Sequence, residues 1–202
     1  MGPGGRDGQH PLIVSRWFAR PEGTPRNLRT VPRLASWNKS DHPDQIRLRE
    51  YVDDTEDLLG TSMLSEPWAL RLDVGLHAGR DVLDMADLDN YAYPLASRLR
   101  DERLLSVWCR KQVNETSSVL VEPARELPPP TAILAARTTA SAQSQAYKEQ
   151  VRSAVAGAAE IAAGAVHLQI SFTVSPRRNW LNLWKPTIDA LDPLLWANPR
   201  RP

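Results

Sequence analysis

The ten residues WALRLDVGLH, numbers 68–77, alternate apolar side chains with polar or small ones. Every second residue from Trp68 to Leu76 is apolar, and Arg71 and Asp73 lie on the other side of the alternation. This period of two predicts a half-buried β-strand. Residues 104–113 and 117–122 predict two further strands, and helical segments lie between and beyond them. The chain is therefore expected to have an α/β (α+β) fold, with a mixed sheet flanked by helices.

A strand–loop–helix unit occurs twice. The shared pattern is Asn-(x)3-Pro-(x)4-Leu, with Asn90, Pro94 and Leu99 in the first copy and Asn182, Pro186 and Leu191 in the second. A second alternating segment, Val166–Val174, precedes the second copy and predicts a strand there. Asn favours a helix N-cap and Pro is tolerated in the first helical turn, so local similarity without common ancestry is the alternative. We interpret the recurrence of strand, loop, cap and helix as a duplication.

Three regions follow from this pattern. Residues 1–40 form a basic arm rich in Pro and Arg, which either straps a phosphate backbone or packs Trp17 and Trp37 on the core. Residues 41–127 form the first α/β unit, which begins with a helix signalled by Asp41 and Pro43 and stopped by Gly60. Residues 128–202 form the second unit, in which an Ala-, Gln- and Glu-rich run over residues 140–163 predicts one long helix.

Composition restricts the classes of function. The chain has 202 residues with 42% hydrophobic residues, enough for a packed core, and a net charge of +1, so any contact with DNA must come from local clusters. Cys109 is the only cysteine, which excludes an internal disulfide and a multi-cysteine zinc site and predicts a buried thiol in a reducing compartment. No apolar run is long enough to span a membrane or to serve as a signal sequence, so we expect a cytoplasmic protein.

The segment Asp87-Leu88-Asp89-Asn90 is the main candidate for chemistry. It places two carboxylates on one side of an extended segment just before a predicted helix. Such a pair can hold Mg²⁺, which keeps several waters and takes its other ligands from phosphate oxygens. The alternative is ordinary capping, because Asp and Asn are common before a helix and acidic residues favour the helix dipole there. No Ser-His-Asp order, phosphate-binding Gly-rich loop or dinucleotide fingerprint is present in the sequence.

This segment resembles RusA-type Holliday-junction resolvases, whose pattern is close to Asp-x-Asp-Asn-(Leu)-x-Lys-(Pro)-x-x-Asp-x-Leu. The pattern is divided between the two copies. The first copy keeps Asp87, Asp89, Asn90 and Pro94, but has Tyr93 at the lysine position and Ser97 at the later acid. The second copy keeps Asn182, Lys185, Pro186 and Asp189, but has Asn179 and Leu181 at the positions of the acidic pair. A further acid in a strand after the helix, present in the family, has no counterpart here.

The resemblance implies a Mg²⁺-dependent, structure-selective DNA endonuclease with Asp87 and Asp89 as metal ligands. If the two copies pack as the subunits of a family dimer do, Lys185, Arg177 and Arg178 contact phosphates of branched or double-stranded DNA. A homodimer or an internal pseudo-dimer would provide this packing. The alternative is that these basic residues have no binding role. Arg177 and Arg178 would then be a solvated pair in a loop, and Lys185 would form a surface ion pair with Asp189 at helical spacing.

Two other classes of function stay open. One is a catalytically inactive relative that binds nucleic acid or protein through the same basic residues. The other is an interaction protein whose C-terminal helix contacts another subunit through its aromatic residues Trp180, Trp184 and Trp196.

Overall fold

The structure is a computed structural model that describes residues 15–35, 38–60, 65–80, 82, 86–159, 161, 166–175 and 177–195. Its strands are β1 (Trp17–Phe18), β2 (Arg26–Asn27), β3 (Trp68–Leu76), β4 (Leu104–Val113), β5 (Ser118–Pro123) and β6 (Glu126–Leu127). Its helices are α1 (Pro43–Leu59), α2 (Leu88–Leu99), α3 (Gln145–Val155), α4 (Trp184–Asp189) and α5 (Asp192–Leu195), with a 3-10 helix at Trp180–Leu183. Trp37 and Trp196 lie outside the described residues.

The main sheet is mixed, and its strand order is β2-β5-β3-β4. β3 pairs with β4 in parallel, and α2 supplies the connection that a parallel pair requires. β5 follows β4 directly and pairs with the other edge of β3 in the antiparallel sense. The predicted α+β class, with helices around a mixed sheet, is confirmed, and so are the strands expected after α2.

The central strand β3 is buried on both faces. Leu70 and Leu72 are fully buried on one side, as predicted, but Arg71 and Asp73 are also buried on the other. The prediction of a half-buried strand is therefore wrong. Residues near the N-terminus cover the second face, where Arg71 Nη1 donates to the carbonyl oxygen of Pro21 at 3.0 Å.

The described part of the basic region 1–40 is built into the sheets. β1 pairs with β6 and β2 pairs with β5, both in the antiparallel sense. Trp17, Phe18 and Ala19 are buried. This arrangement agrees with the alternative in which Trp17 packs on the core.

Helix α1 begins and ends close to the predicted residues. Its N-cap is His42 rather than Asp41, and His42 Nδ1 accepts a hydrogen bond from the backbone N–H of Asp44 at 3.2 Å. Gly60 ends the helix with a φ of 40°, a left-handed value that glycine adopts without steric cost.

Helix α2 starts earlier than the sequence pattern predicts. Its N-cap position is Asp87, so Asn90 is the third helical residue and the prediction that Asn90 caps the helix is wrong. Pro94 is consequently inside the helix, beyond the first turn where proline is easily tolerated. Because Pro94 has no N–H, it cannot donate to the carbonyl of Asn90 four residues earlier. The backbone N–H of Ala35 donates to that carbonyl instead, at 2.9 Å, so a residue of the N-terminal region completes the helix.

The second unit departs further from prediction. Residues 166–174 form no strand, although their side chains bond to the N-terminal region: Gln169 Nε2 donates to the carbonyl of Phe18 and Ser171 Oγ to that of Arg16. The strand that the alternation predicts here is therefore wrong, because the segment lies beside β1 without forming backbone hydrogen bonds of a sheet. Helix α3 covers only the middle of the predicted long helix, and it starts after Ser144, whose hydroxyl caps Tyr147 N–H.

The cap predicted for the second copy also differs. Asn182 lies within the 3-10 helix, and the N-cap there is Asn179, whose Oδ1 accepts from Leu181 N–H at 3.1 Å. Pro186 is the third residue of α4, so it does lie in a first turn, as predicted. The internal similarity thus extends to loop and helix but not to the preceding strand.

Two apolar clusters share the 3-10 helix. Leu181 packs in the first, with β3 and α2, whereas Leu183 packs in the second, with α3 and α5. Two residues of one short helix therefore fix the second unit against the first. Among the described residues, no helix combines the length and apolar character needed to cross a membrane.

Candidate metal and nucleic-acid site

The acidic pair lies at the start of α2. Asp87 occupies the N-cap position, but its side chain makes no capping hydrogen bond and is 71% exposed. Asp89 is half-buried in the first turn. Ordinary capping therefore does not account for the carboxylate of Asp87, which is directed to another part of the chain.

That other part is the second copy of the motif. Lys185 Nζ lies 3.5 Å from Asp87 Oδ2 and 3.4 Å from Asp189 Oδ1. Lys148 of α3 contacts the other oxygen of Asp189 at 2.9 Å. Acidic and basic groups thus alternate in the order Asp87, Lys185, Asp189, Lys148. The fold brings the acid pair of one copy to the lysine and later acid of the other.

A second contact crosses between the copies nearby. Tyr93 OH donates to Asn182 Oδ1 at 2.8 Å. Tyr93 and Lys185 occupy equivalent positions in the two copies, and each reaches the beginning of the other copy's motif. Both contacts join α2 or its N-cap residue to the second copy of the motif.

The carboxylates and Lys185 form one electrostatic unit. Burial raises the pKa of Asp89, Asp87 and Asp189 add to this effect, and Lys185 opposes it. Burial lowers the pKa of Lys185, but the charges of Asp189, Asp89 and Asp87 outweigh it, so the net pKa is raised. The negative charges of the three carboxylates therefore stabilise the charged form of Lys185.

Asp87 and Asp89 are the two ligands that the sequence predicts for a magnesium ion. Among the described residues, no group of three or more His, Cys, Asp or Glu side chains could hold a metal. Magnesium in phosphate chemistry is commonly held by one or two carboxylates, with waters and phosphate oxygens completing its shell, so Asp87 and Asp89 match this mode. The strand after α2 offers no acid toward this site. It presents Cys109, whose pKa burial raises to about 12, and Lys111, whose Nζ donates to Ala86 O at 3.0 Å.

The two arginines of the loop before the 3-10 helix have different surroundings. Arg177 is exposed, as a solvated loop residue would be. Arg178 is half-buried and lines an open cavity of about 480 Å³ together with Asn179 and Asn182. Neither arginine forms an ion pair with the residues that the structure describes. The structure therefore separates a pair that the sequence treated as equivalent.

A charged network on the opposite face of β3 was not anticipated. Asp73 contacts Arg71 at 2.5 Å, Arg110 at 2.9 Å and Arg20 at 3.1 Å. Burial raises the pKa of Asp73, but the hydrogen bond and charge of Arg71, with those of Arg110 and Arg20, outweigh it and leave the pKa lowered. The available signal was the presence of Arg71 and Asp73 in an otherwise apolar strand, beside an Arg-rich N-terminal region.

Comparisons with family models, with curated proteins and with solved structures give no significant match to this chain.

Proposed function

We propose that this protein is a magnesium-dependent, structure-selective DNA endonuclease resembling Holliday-junction resolvases. The observation that carries the proposal is the contact of 3.5 Å between Lys185 Nζ and Asp87 Oδ2. Each copy of the motif lacks residues that the other retains, and this contact unites the retained halves. If the two helix starts were similar only by chance, there would be no reason for Lys185 of one copy to contact Asp87 of the other.

Asp87 and Asp89 would hold the ion. Both lie at the start of α2, where Asp87 is exposed and Asp89 is half-buried. When bound, Mg²⁺ supplies activation of water and stabilisation of charge on the phosphate and the leaving oxygen. The protein side chains provide position and charge. Lys185 presents a point charge for a phosphate oxygen, and Asp189 and Lys148 fix the end of its side chain.

The second copy cannot provide an equivalent pair of ligands. Asn179 and Leu181 occupy the positions of Asp87 and Asp89, and both have structural tasks: the Asn179 side chain caps the 3-10 helix and Leu181 is 1% exposed in the core. We therefore propose one metal site per chain, within an internal pseudo-dimer. A single site would nick one strand of branched DNA per binding event.

A second candidate function is an inactive relative that binds nucleic acid. The observation that favours it is again Lys185, because its ammonium already provides Asp87 with a cation in the absence of metal. On this proposal Arg178 and Lys185 retain DNA by charge, with no metal-dependent product.

Titration calorimetry with Mg²⁺ and Mn²⁺, beside a cleavage assay on four-way junction DNA, distinguishes the two candidates. The test variant is Asp87→Asn/Asp89→Asn. A matched control is Asp41→Asn/Asp57→Asn, which removes the same charge from two exposed residues of the α1 region. The nuclease proposal expects the wild type and the control to bind metal and nick the junction, and the test variant to do neither while remaining folded by circular dichroism.

Cleavage by the test variant would refute Asp87 and Asp89 as the metal ligands. Salt-sensitive junction binding without metal binding or product in the wild type would support the inactive relative.

We also propose a cytoplasmic location, supported by the free, half-buried thiol of Cys109. Cell fractionation that found the protein outside the cytosol would contradict it.

A further inference from the structure

The cavity beside Arg178 has two firmly built walls. One is the loop 139–143, which Gln150 of α3 clamps: its Oε1 accepts from Thr139 N–H at 3.0 Å and its Nε2 donates to Thr139 Oγ1 at 3.1 Å. The other wall is the start of the 3-10 helix, capped by the Asn179 side chain. Both walls are fixed by hydrogen bonds within the chain, so the cavity is preformed.

The lining is polar and carries a single sign of charge. Arg178 is the one charged residue among those described around the cavity, whose other lining residues are Thr139, Ala140, Ser141, Ala142, Gln143, Asn179, Asn182 and Leu183. Within the described residues, the Arg178 guanidinium makes no hydrogen bond. A half-buried guanidinium among neutral polar groups, with no carboxylate in the lining, favours an anionic ligand.

Asn182 links the cavity to α2, the helix whose N-cap residue is Asp87. Asn182 lines the cavity, and its Oδ1 accepts from Tyr93 of α2 and, at 3.4 Å, from Asn179 Nδ2. Both of these bonds are on the oxygen, and among the described residues the amide nitrogen of Asn182 has no acceptor. Lys185 follows Asn182 by three residues and reaches Asp87. A chain-like polyanion could therefore contact Arg178 and Lys185 together.

We propose that this cavity binds a phosphodiester group of the DNA strand whose next contacts are Lys185 and the Asp87–Asp89 pair. The guanidinium of Arg178 and the amide of Asn182 donate to its oxygens. The assignment to DNA rests on the proposed function. It gives Arg178 a specific binding role and leaves Arg177 as a solvated neighbour.

The test is fluorescence anisotropy of labelled four-way junction DNA with EDTA present, between about 50 and 200 mM salt. Arg178→Gln is compared with Arg177→Gln, which removes the same charge one residue away and outside the cavity. We expect Arg178→Gln to weaken binding about tenfold, as loss of a charge-assisted hydrogen bond does, and to lower the salt slope by about one. Arg177→Gln should stay within about twofold of the wild type.

A third variant, Ser141→Trp, tests the cavity without changing charge. Ser141 is exposed in the lining, so the ring should fill the cavity while the chain stays folded, and binding should again fall about tenfold. Equal losses from the two arginine variants, or full binding by Ser141→Trp, would overturn the proposal.

These outcomes are separate from those for the nuclease. If the protein binds DNA through Arg178 but does not cleave it, the cavity proposal stands and the nuclease proposal fails. If the protein cleaves DNA and Arg178→Gln binds as well as the wild type, the nuclease proposal stands and the cavity proposal fails.

Discussion

Lys185 lies 3.5 Å from the carboxylate of Asp87, although 98 positions separate the two residues in the chain. The contact is between a helix of the second unit and the start of a helix of the first. It brings together residue types that the sequence distributes over the two copies of the motif.

The first prediction concerns the charge of Lys185. In the proposed nuclease, Lys185→Met would remove a cation that contacts a phosphate and that also competes with the metal for Asp87. We expect cleavage of junction DNA to fall about 10- to 100-fold, the range for loss of a charge-assisted hydrogen bond, while Mg²⁺ binds more tightly. Initial cleavage rates and calorimetry measure the two effects. Lys39→Met is the control, since Lys39 is exposed in the region before α1.

Tighter metal binding together with slower cleavage would show that Lys185 acts through its charge, because a purely structural role would not change the two in opposite directions. A variant that loses both metal binding and cleavage would indicate that Lys185 supports the geometry of the acidic pair, contrary to the prediction.

The second prediction concerns the crossing contact between Tyr93 and Asn182. Tyr93→Phe removes the hydroxyl that donates to Asn182 Oδ1 at 2.8 Å, and we expect the free energy of unfolding to fall by about 0.5–1 kcal/mol. A double-mutant cycle with Asn182→Ala, measured by urea denaturation, should give a coupling of similar size. The control is the pair Tyr93→Phe and Ser97→Ala, since Ser97 is exposed on the same helix. Their effects on the free energy of unfolding should be additive. Additivity of the Tyr93 and Asn182 variants would mean that the crossing bond contributes nothing.

The central sheet could be predicted from the sequence because local signals and tertiary packing agree there. β3, β4 and β5 each carry a strong strand pattern and are joined by a short helix and a tight turn. The segment 166–174 has an equally clear alternation but forms no backbone pairing with a strand among the described residues, since pairing depends on which strand edge is available and not on local pattern.

The candidate site could be predicted only in its residue types. The sequence indicates Asp87 and Asp89 as a pair, and it places Lys185 in the same site only on the condition that the two copies pack together. The contact itself depends on how the two units pack. The position of Pro94 shows the same limit. A proline in the second turn disfavours a helix locally, and only the distant N–H of Ala35 makes this position tolerable.

The third prediction concerns Gly75 near the end of β3. A Cβ at this residue would lie 2.2 Å from the carbonyl oxygen of Thr116, a backbone atom that cannot rotate away. Gly75→Ala should therefore lower the free energy of unfolding by about 1–3 kcal/mol, the cost of overpacking. Gly157→Ala is the matched control, because a Cβ there meets nothing within 4 Å and its stability should change by less than about 0.5 kcal/mol. Equal urea midpoints for the two variants would contradict the close approach of Gly75 to Thr116.

The fourth prediction concerns the acid stability that Asp73 provides. Its carboxylate is buried against Arg71, Arg110 and Arg20, and removal of its charge leaves these guanidinium groups without their shared partner. We expect Asp73→Asn to lower the free energy of unfolding at pH 7 by about 3–5 kcal/mol, the usual cost of breaking a buried pair. Urea denaturation measures it.

The pH dependence follows from the direction of the pKa shift of Asp73. Because the folded-state pKa is lowered, the contribution of this carboxylate to stability is complete above its unfolded pKa of about 3.9 and is lost as pH falls through the folded value. The difference in stability between the wild type and Asp73→Asn should thus stay constant from about pH 7 to 5 and shrink below about pH 4. Asp57→Asn, at an exposed position in α1, is the control for removal of a carboxylate from the surface. A difference that stayed constant down to about pH 2 would mean that Asp73 gains nothing from its arginines as a charged group, and its role would then be one of packing and neutral hydrogen bonding alone.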